Sequence, residues 1–140
     1  MTAPRITRVT AAADVAAAAH LFDAPPRSDA TARFLADDRH HLLLAYLGAR
    51  PVGMITGVEM THPDKGTEMF VYELGVADDA RRQGIAVELV HALQQLAHER
   101  GCYGMWVAVD ADNDPALQTY RSAGADPAED ACVLSWEWPR

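Results

Sequence analysis

Residues 67–76, TEMFVYELGV, run through ARRQG into IAVELVHALQQLAHERG, and GMWVAVD follows at 104–110. A strand-like run, a short turn, a long amphipathic stretch and a second strand-like run leave few folds open. In the long stretch Ile85, Leu89, Ala92, Leu93, Leu96 and Ala97 share one helical face, with Glu88, Gln95 and Glu99 largely opposite. Gly101 stands where such a helix stops. The unit spanning 67–110 therefore predicts a right-handed crossover between roughly parallel strands in a mixed α/β sheet.

The flanking sequence supplies the rest of that sheet. Residues 5–10 alternate like a short strand, and Thr10 is placed to cap a helix over 11–22. Pro25 and Pro26 break the chain, and Ser28 is placed to cap a second helix carrying Ala32, Phe34 and Leu35. Residues 41–47 and 52–60 are rich in strand formers and read as a hairpin turning at 48–51. A second turn at 62–66 returns into 67–76. Residues 113–122 read as a short helix with Pro115 in its first turn, and 131–138 as a last strand. A chain of 140 residues carrying these elements is one α/β (α+β) domain, 1–140.

Composition narrows the function. With 49% hydrophobic and 23% charged residues the chain suits a folded soluble protein. A formal charge of -8 argues against nucleic-acid binding, which needs a basic face, and suits either a cationic partner or plain solubility. The Ala-rich run at 11–19 is interrupted by Asp14 and lacks a signal-type apolar core, and no stretch is long enough to span a bilayer. A cytoplasmic protein with no membrane partner is the expectation, with Cys102 and Cys132 as two buried thiols. No metal is expected. His40 and His41 are adjacent and the other histidines scattered, while Asp110, Asp112 and Asp114 lack the glycine and terminal glutamate of a calcium loop.

The turn itself carries chemistry. A loop that ends a strand and opens a helix has unpaired N–H groups at the positive end of the helix dipole, which attract phosphate. Gly84 lets backbone approach closely, Ala86 keeps the next turn small, and Arg81 and Arg82 can add charge-assisted contacts to a diphosphate. The plain alternative is a pair of solvated arginines beside an ordinary helix start. Neither the lysine-bearing phosphate loop nor the dinucleotide glycine pattern is present.

Arg81-Arg82-Gln83-Gly84-Ile85-Ala86 resembles the Arg/Gln-x-x-Gly-x-Gly/Ala loop of the GNAT family of N-acetyltransferases, where it grips the pyrophosphate of acetyl-coenzyme A. The resemblance extends to Tyr72-Glu73-Leu74-Gly75-Val76 before the loop. It also extends to Asn113-Asp114-Pro115-Ala116 with Tyr120, Arg121 and Gly124 after it, which looks like the family's second coenzyme-side helix. More narrowly, YELGV, RRQGIA and NDPALQTYRSAG are similar to YDLAV, RRQGIA and DDPAVALYTKLG of the gentamicin-modifying aminoglycoside 3-N-acetyltransferases. Glu73 replaces Asp, Gly75 replaces Ala and Asn113 replaces the first Asp of an acidic pair.

The resemblance implies a GNAT fold and acetyl-coenzyme A as cosubstrate, bound through Leu74, Val76, Arg81, Arg82, Gln83, Gly84, Ile85, Ala86 and Asn113. It also implies a bulge in the strand before the loop, which frees a backbone N–H near Leu74 for the thioester carbonyl. Tyr120 matches the tyrosine that protonates the leaving thiolate, its alternative being a ring packed on the sheet. An acceptor amine must shed a proton before it attacks, and Glu73, a lone glutamate among apolar strand residues, is either its base or a solvent-facing edge residue.

Asp110, just past a strand end and opposite an Asp of the aminoglycoside pattern, is the favoured ligand for a cationic acceptor. Asp112 is the second, with a turn or helix-cap role as its alternative, and Glu59, Glu68 and Glu137 are weaker ones. The acceptor-side wall is expected within 25–41. Trp106, Trp136 and Trp138 are core or dimer contacts, or a sugar platform. The expected activity is acetyl transfer to the 3-amino group of an aminoglycoside. The alternatives are another small amine, such as a polyamine or amino-acid derivative, or an acyl-coenzyme A binding module without turnover.

Overall fold

The computed structural model describes residues 3–127 and 131–140. Strands β1 (Arg5–Arg8), β2 (His40–Leu47), β3 (Arg50–His62), β4 (Gly66–Val76) and β5 (Met105–Val107) form one sheet in the order β1-β2-β3-β4-β5. The first four are antiparallel and β4 pairs with β5 in parallel, across the helix α3 (Ile85–Glu99). This is the mixed sheet and crossover that the periodicity of 67–110 predicts.

The helix layers follow from the faces of the strands. Alternation sends Leu43, Ala45, Ile55, Met69 and Val71 to one face, where Ile85, Leu89 and Leu93 of α3 complete the main core. Close approach needs the glycines of β3. A Cβ on Gly53 would lie 2.9 Å from Leu89 Cδ1, and one on Gly57 would lie 3.0 Å from Leu93 Cδ2 and from Met69 Sδ. On the other face Leu42, Leu44 and Met54 meet Val15 and Ala18, with Phe34 and Leu35 packed at the margin. The helices there are α1 (Ala12–Ala17) and α2 (Ser28–Ala36); α4 (Asp114–Ser122) joins the α3 side through buried Tyr120.

A buried polar chain fastens the lower sheet. His41 Nδ1 accepts from Arg8 Nε at 2.9 Å, and its Nε2–H therefore faces Glu59 Oε2 at 2.7 Å. Arg100, just past α3, donates from Nε to the same oxygen at 2.8 Å. Burial, reinforced by Arg8 and Arg100, holds the His41 imidazole below its ordinary pKa against the pull of Glu59, so the ring is neutral.

Several local expectations are corrected. The first helix starts after Ala11 rather than Thr10 and ends at Ala17, where the chain tightens into a 3-10 turn (Ala19–Leu21) before the proline break. Neither Thr10 nor Ser28 caps a helix: the cap positions are Ala11 and Arg27, and Ser28 is already helical. β5 has three residues instead of the seven of 104–110, because β4 leaves its side after Val71. Residues 131–138 are not a strand, since no neighbouring strand pairs with them, and Cys132 is exposed rather than buried.

Candidate functional site

The site begins with one extra residue. Thr56 of β3 pairs with Glu73 while the next residue, Gly57, pairs with Val71, so Tyr72 is bulged out of register and is 73% exposed. The insertion inverts the alternation of β4. Before it, the N–H of Met69 donates toward β5, to Gly104 O at 2.9 Å; after it, the N–H groups of Glu73 and Ala77 donate toward β3, to Thr56 Oγ1 at 3.0 Å and Val52 O at 2.8 Å. The intervening N–H groups of Leu74 and Val76 are thereby turned away from β3.

That of Leu74 faces an opening. Pairing between β4 and β5 ends at Val71–Val107, and the strands splay apart beyond it. The resulting cleft of about 400 Å³ is lined on one side by Tyr72, Glu73, Leu74 and Gly75 and on the other by Val107, Ala108, Val109 and Asp110. Asn113, Ala116 and Tyr120 of the α4 region close one wall, and Leu21, Asp23 and Met54 another. Gly75 makes room for the last of these: a Cβ there would sit 3.0 Å from the carbonyl oxygen of Leu21.

Two groups in the cleft have displaced proton affinities. Burial raises the Glu73 carboxyl above its ordinary value and the charge of Asp23 raises it further, while the Thr56 hydroxyl, 3.5 Å from Oε1, opposes this. Burial raises the Tyr120 phenol. Glu73 also lines a second, shallower groove of about 270 Å³ with Phe34, His40, Thr56, Val58, Phe70 and Tyr72. The walls of that groove are aromatic: Phe34 stacks on His40 at 5.3 Å, and Phe70 lies 6.0 Å from Tyr72. Glu73 is its single carboxylate.

The loop after β4 forms a shelf beyond the cleft. Residues 78–80 make a 3-10 turn, Arg82 takes a left-handed φ of 63° and Gly84 one of 78°, and α3 starts with no side-chain cap. The amides of Ile85, Ala86 and Val87 precede the first intrahelical bond, which runs from Glu88 N to Gly84 O at 3.0 Å. Arg81 leans on the loop, its Nη2 3.1 Å from Asp78 and its Nε 3.4 Å from Val76 O, whereas Arg82 and Gln83 are exposed.

The structure thus brings Glu73, Leu74, Asp110, Asn113 and Tyr120 to one cleft and sets Val76 and residues 81–86 outside its lining. Asp112 is exposed and outside it too, its carbonyl accepting from Asp114 N in the turn before α4. Asn113 also caps α4, its Oδ1 accepting from Ala116 N at 3.3 Å. Of the weaker acidic candidates, Glu59 is consumed by His41 and Arg100, Glu68 bonds His62 and Tyr103, and Glu137 is on the exposed segment 131–140. Sequence reasoning missed Asp23 and Thr56. The signal for Asp23 was its place just before Pro25-Pro26, where the chain leaves its first helical segment. Among the described residues no group of three or more His, Cys, Asp or Glu side chains could hold a metal ion, and no helix is long and apolar enough to cross a membrane.

The family model described as acetyltransferase (GNAT) family matches residues 10–125. Among curated proteins, the mycothiol acetyltransferase of Corynebacterium aurimucosum is 40% identical over 63 residues, 45% of this chain and 21% of that protein. The chain thus spans about a fifth of that relative's length. Among solved structures, an aminoglycoside acetyltransferase from an uncultured soil metagenomic sample, in complex with sisomicin, superposes with a TM-score of 0.88 at 22% identity, covering 97% of each chain. The aminoglycoside N-acetyltransferase AAC(6')-Iy in complex with CoA gives 0.81 at 15% identity, covering 96% of this chain and all, 100%, of that one. At these identities the likeness is one of fold.

Proposed function

The chain belongs to the GNAT family of acetyltransferases, and on that premise we propose that it moves acetyl from acetyl-coenzyme A directly to a primary amine, the 3-amino group of an aminoglycoside. The observation that carries this reading is the bulge at Tyr72, which sends the Leu74 N–H and the Glu73 carboxylate to the same cleft.

In this reading the pantetheine arm pairs with β4 through the N–H groups of Leu74 and Val76, as an added strand does. The free amides opening α3, with Arg81, Arg82 and Gln83, hold the pyrophosphate. Glu73, directly or through water, takes a proton from the acceptor ammonium, and the free amine forms a C–N bond to the thioester carbonyl. Leu74 N–H stabilises the oxyanion. As the C–S bond breaks, Tyr120 gives its proton to the leaving thiolate and regains one from solvent, while the newly bonded nitrogen sheds its second proton to solvent to leave the neutral amide. Asp23 and Asp110, both in the cleft lining, attract a cationic acceptor, and the net charge of -8 draws it in from solution. Asn113 sits at the coenzyme side, and the protein works in the cytoplasm.

A second reading is favoured by the aromatic groove beside Glu73, which offers ring faces and one carboxylate. An amine bearing an apolar or ring-shaped body, smaller than an aminoglycoside, fits that chemistry. Mycothiol acetyltransferase among the relatives keeps a non-antibiotic acceptor in view.

The test is thiol release from acetyl-coenzyme A with gentamicin, kanamycin, spermidine and amino acids in parallel. Release with gentamicin supports the aminoglycoside reading; release with other amines alone moves the substrate to the second one. Coenzyme binding with no release from any amine replaces both with a binding module.

A further inference from the structure

The bulge at Tyr72 shapes the shallow groove as well as the cleft. Across the sheet His40 pairs with Val58 and Val58 with Phe70, so these three side chains form one row on a single face. Two residues along β3, on the same face, Thr56 pairs with Glu73. A regular strand would set residue 72 beside Phe70 on that face; the extra residue puts Glu73 there instead. A carboxylate thus ends a row of apolar side chains.

Rings enclose that row. Phe34 of α2 stacks on His40 at 5.3 Å, and Trp106 of β5 backs Phe70 at 4.5 Å. Tyr72 lines the groove as well and is 73% exposed. Phe34, His40, Val58 and Phe70 are each half-buried, which leaves apolar surface for an occupant to cover. Trp136 and Trp138, by contrast, are exposed rather than in the core and line neither hollow.

Size and charge select the occupant. At about 270 Å³ the groove lies below the roughly 300–1,000 Å³ of sites that hold drug-sized molecules, so it takes one ring and a short tether rather than a multi-ring sugar. Its one carboxylate matches one ammonium. A second ammonium would lie against the rings, which repay its lost hydration only in part.

We propose that the groove gives this protein a second class of acceptor, primary monoamines built on a single compact ring, with the ring held among Phe34, Phe70 and Tyr72 and the ammonium at Glu73. The inference rests on acetyl transfer as proposed above and names the acceptor class of its second reading. Glu73 lines groove and cleft alike, so an ammonium held there meets the same base as one in the cleft. The transfer keeps the bonds and protons already described: thioester and ammonium give amide, free thiol and one proton.

Thiol release from acetyl-coenzyme A with 2-phenylethylamine and with n-butylamine tests this, alongside calorimetric titration of both amines into the protein with coenzyme A. The ring amine is expected to lead by about tenfold or more in kcat/KM, chiefly through a lower KM, and to bind more tightly. Phe34→Ala is expected to erase most of that lead by raising KM for the ring amine. Tyr72→Ser, at an exposed side chain, repeats the test without touching the packing of α2. Equal use and equal binding of the two amines overturn the inference, as does a lead that survives both substitutions; if thiol release continues, acetyl transfer stands without it. Tighter binding of the ring amine, weakened by Phe34→Ala but with no thiol released from any amine, keeps the groove as a ring-amine site and removes the acetyl-transfer reading instead.

Discussion

The backbone N–H of Glu73 donates to the side-chain hydroxyl of Thr56, at 3.0 Å, instead of to a strand carbonyl. The side chain of β3 thus stands in for the ladder bond that the bulge removes. Thr56→Val keeps the shape and orphans a half-buried amide, at an expected cost of about 1–3 kcal/mol, with Thr56→Ser close to wild type. Denaturant unfolding of both variants checks this, and equal stability for Val and Ser would mean that the bulge holds without the hydroxyl.

Glu73→Gln is expected to act in opposite directions on activity and stability. As the proposed base it supplies about 10²–10⁴ in kcat/KM, and its raised pKa moves the acid limb of the pH profile above the ordinary glutamate range. A carboxyl whose folded pKa is raised binds its proton more tightly in the folded state. Stability is therefore full below the ordinary value and falls as pH climbs through the raised one. Glutamine removes that cost, so the variant melts a few degrees higher than wild type at neutral pH, and the difference shrinks in acid. A variant that is neither slower nor more stable takes Glu73 out of the cleft chemistry.

Replacing Arg81 and Arg82 together by alanine is expected to weaken acetyl-coenzyme A binding by about 10–100-fold while leaving the fold intact, since both side chains are exposed. Calorimetric titration with coenzyme A reads this directly. Unchanged affinity returns the two arginines to a solvated loop.

His41 makes the fold acid-sensitive. Its folded pKa lies below the ordinary 6.5, so the unfolded state takes up more protons as pH falls. The network with Arg8, Glu59 and Arg100 is intact above about 6.5, and stability is lost as pH drops from there toward the lowered value, by at most about 1.4 kcal/mol per pH unit. Melting curves of wild type and His41→Gln between neutral and mildly acidic pH test it. The variant is less stable throughout and has the flatter slope.

Gly57→Ala is expected to cost about 1–3 kcal/mol, because the new methyl meets Leu93 and Met69 at 3.0 Å. Gly104→Ala, whose Cβ meets nothing within 4 Å, is the matched control. Comparable melting of the two would mean that α3 shifts to make room.

Much of this was legible in the sequence because it is local. The i, i+4 spacing of Ile85, Leu89 and Leu93 writes α3, and the apolar runs on either side of 48–51 and 62–66 write the hairpins. What failed depends on partners distant in sequence. Thr10 and Ser28 have the right chemistry for caps, yet the helices begin a residue away from where that chemistry acts. Asp23 belongs to the cleft only because the turn at Ala19–Leu21 folds across β4, and a glycine at position 75 is what admits it. Glu59 reads from the sequence as a weaker acceptor-side candidate, and only its distant partners His41 and Arg100, 18 and 41 residues away, reveal it as structural. The alternating pattern of 131–138 reads as a strand, yet the segment forms none, because a strand needs an edge to pair with and that is not written in the segment itself.

The divergence of β4 from β5 leaves the amides of Leu74 and Val76 to bond with water in the free chain. Anything that takes their place binds the folded state alone, so occupancy adds directly to resistance against unfolding, by about 2.7 kcal/mol at a hundredfold excess over Kd. Under the proposed function that occupant is acetyl-coenzyme A, and the survival of the protein against proteolysis becomes a gauge of how much activated acetate is at hand.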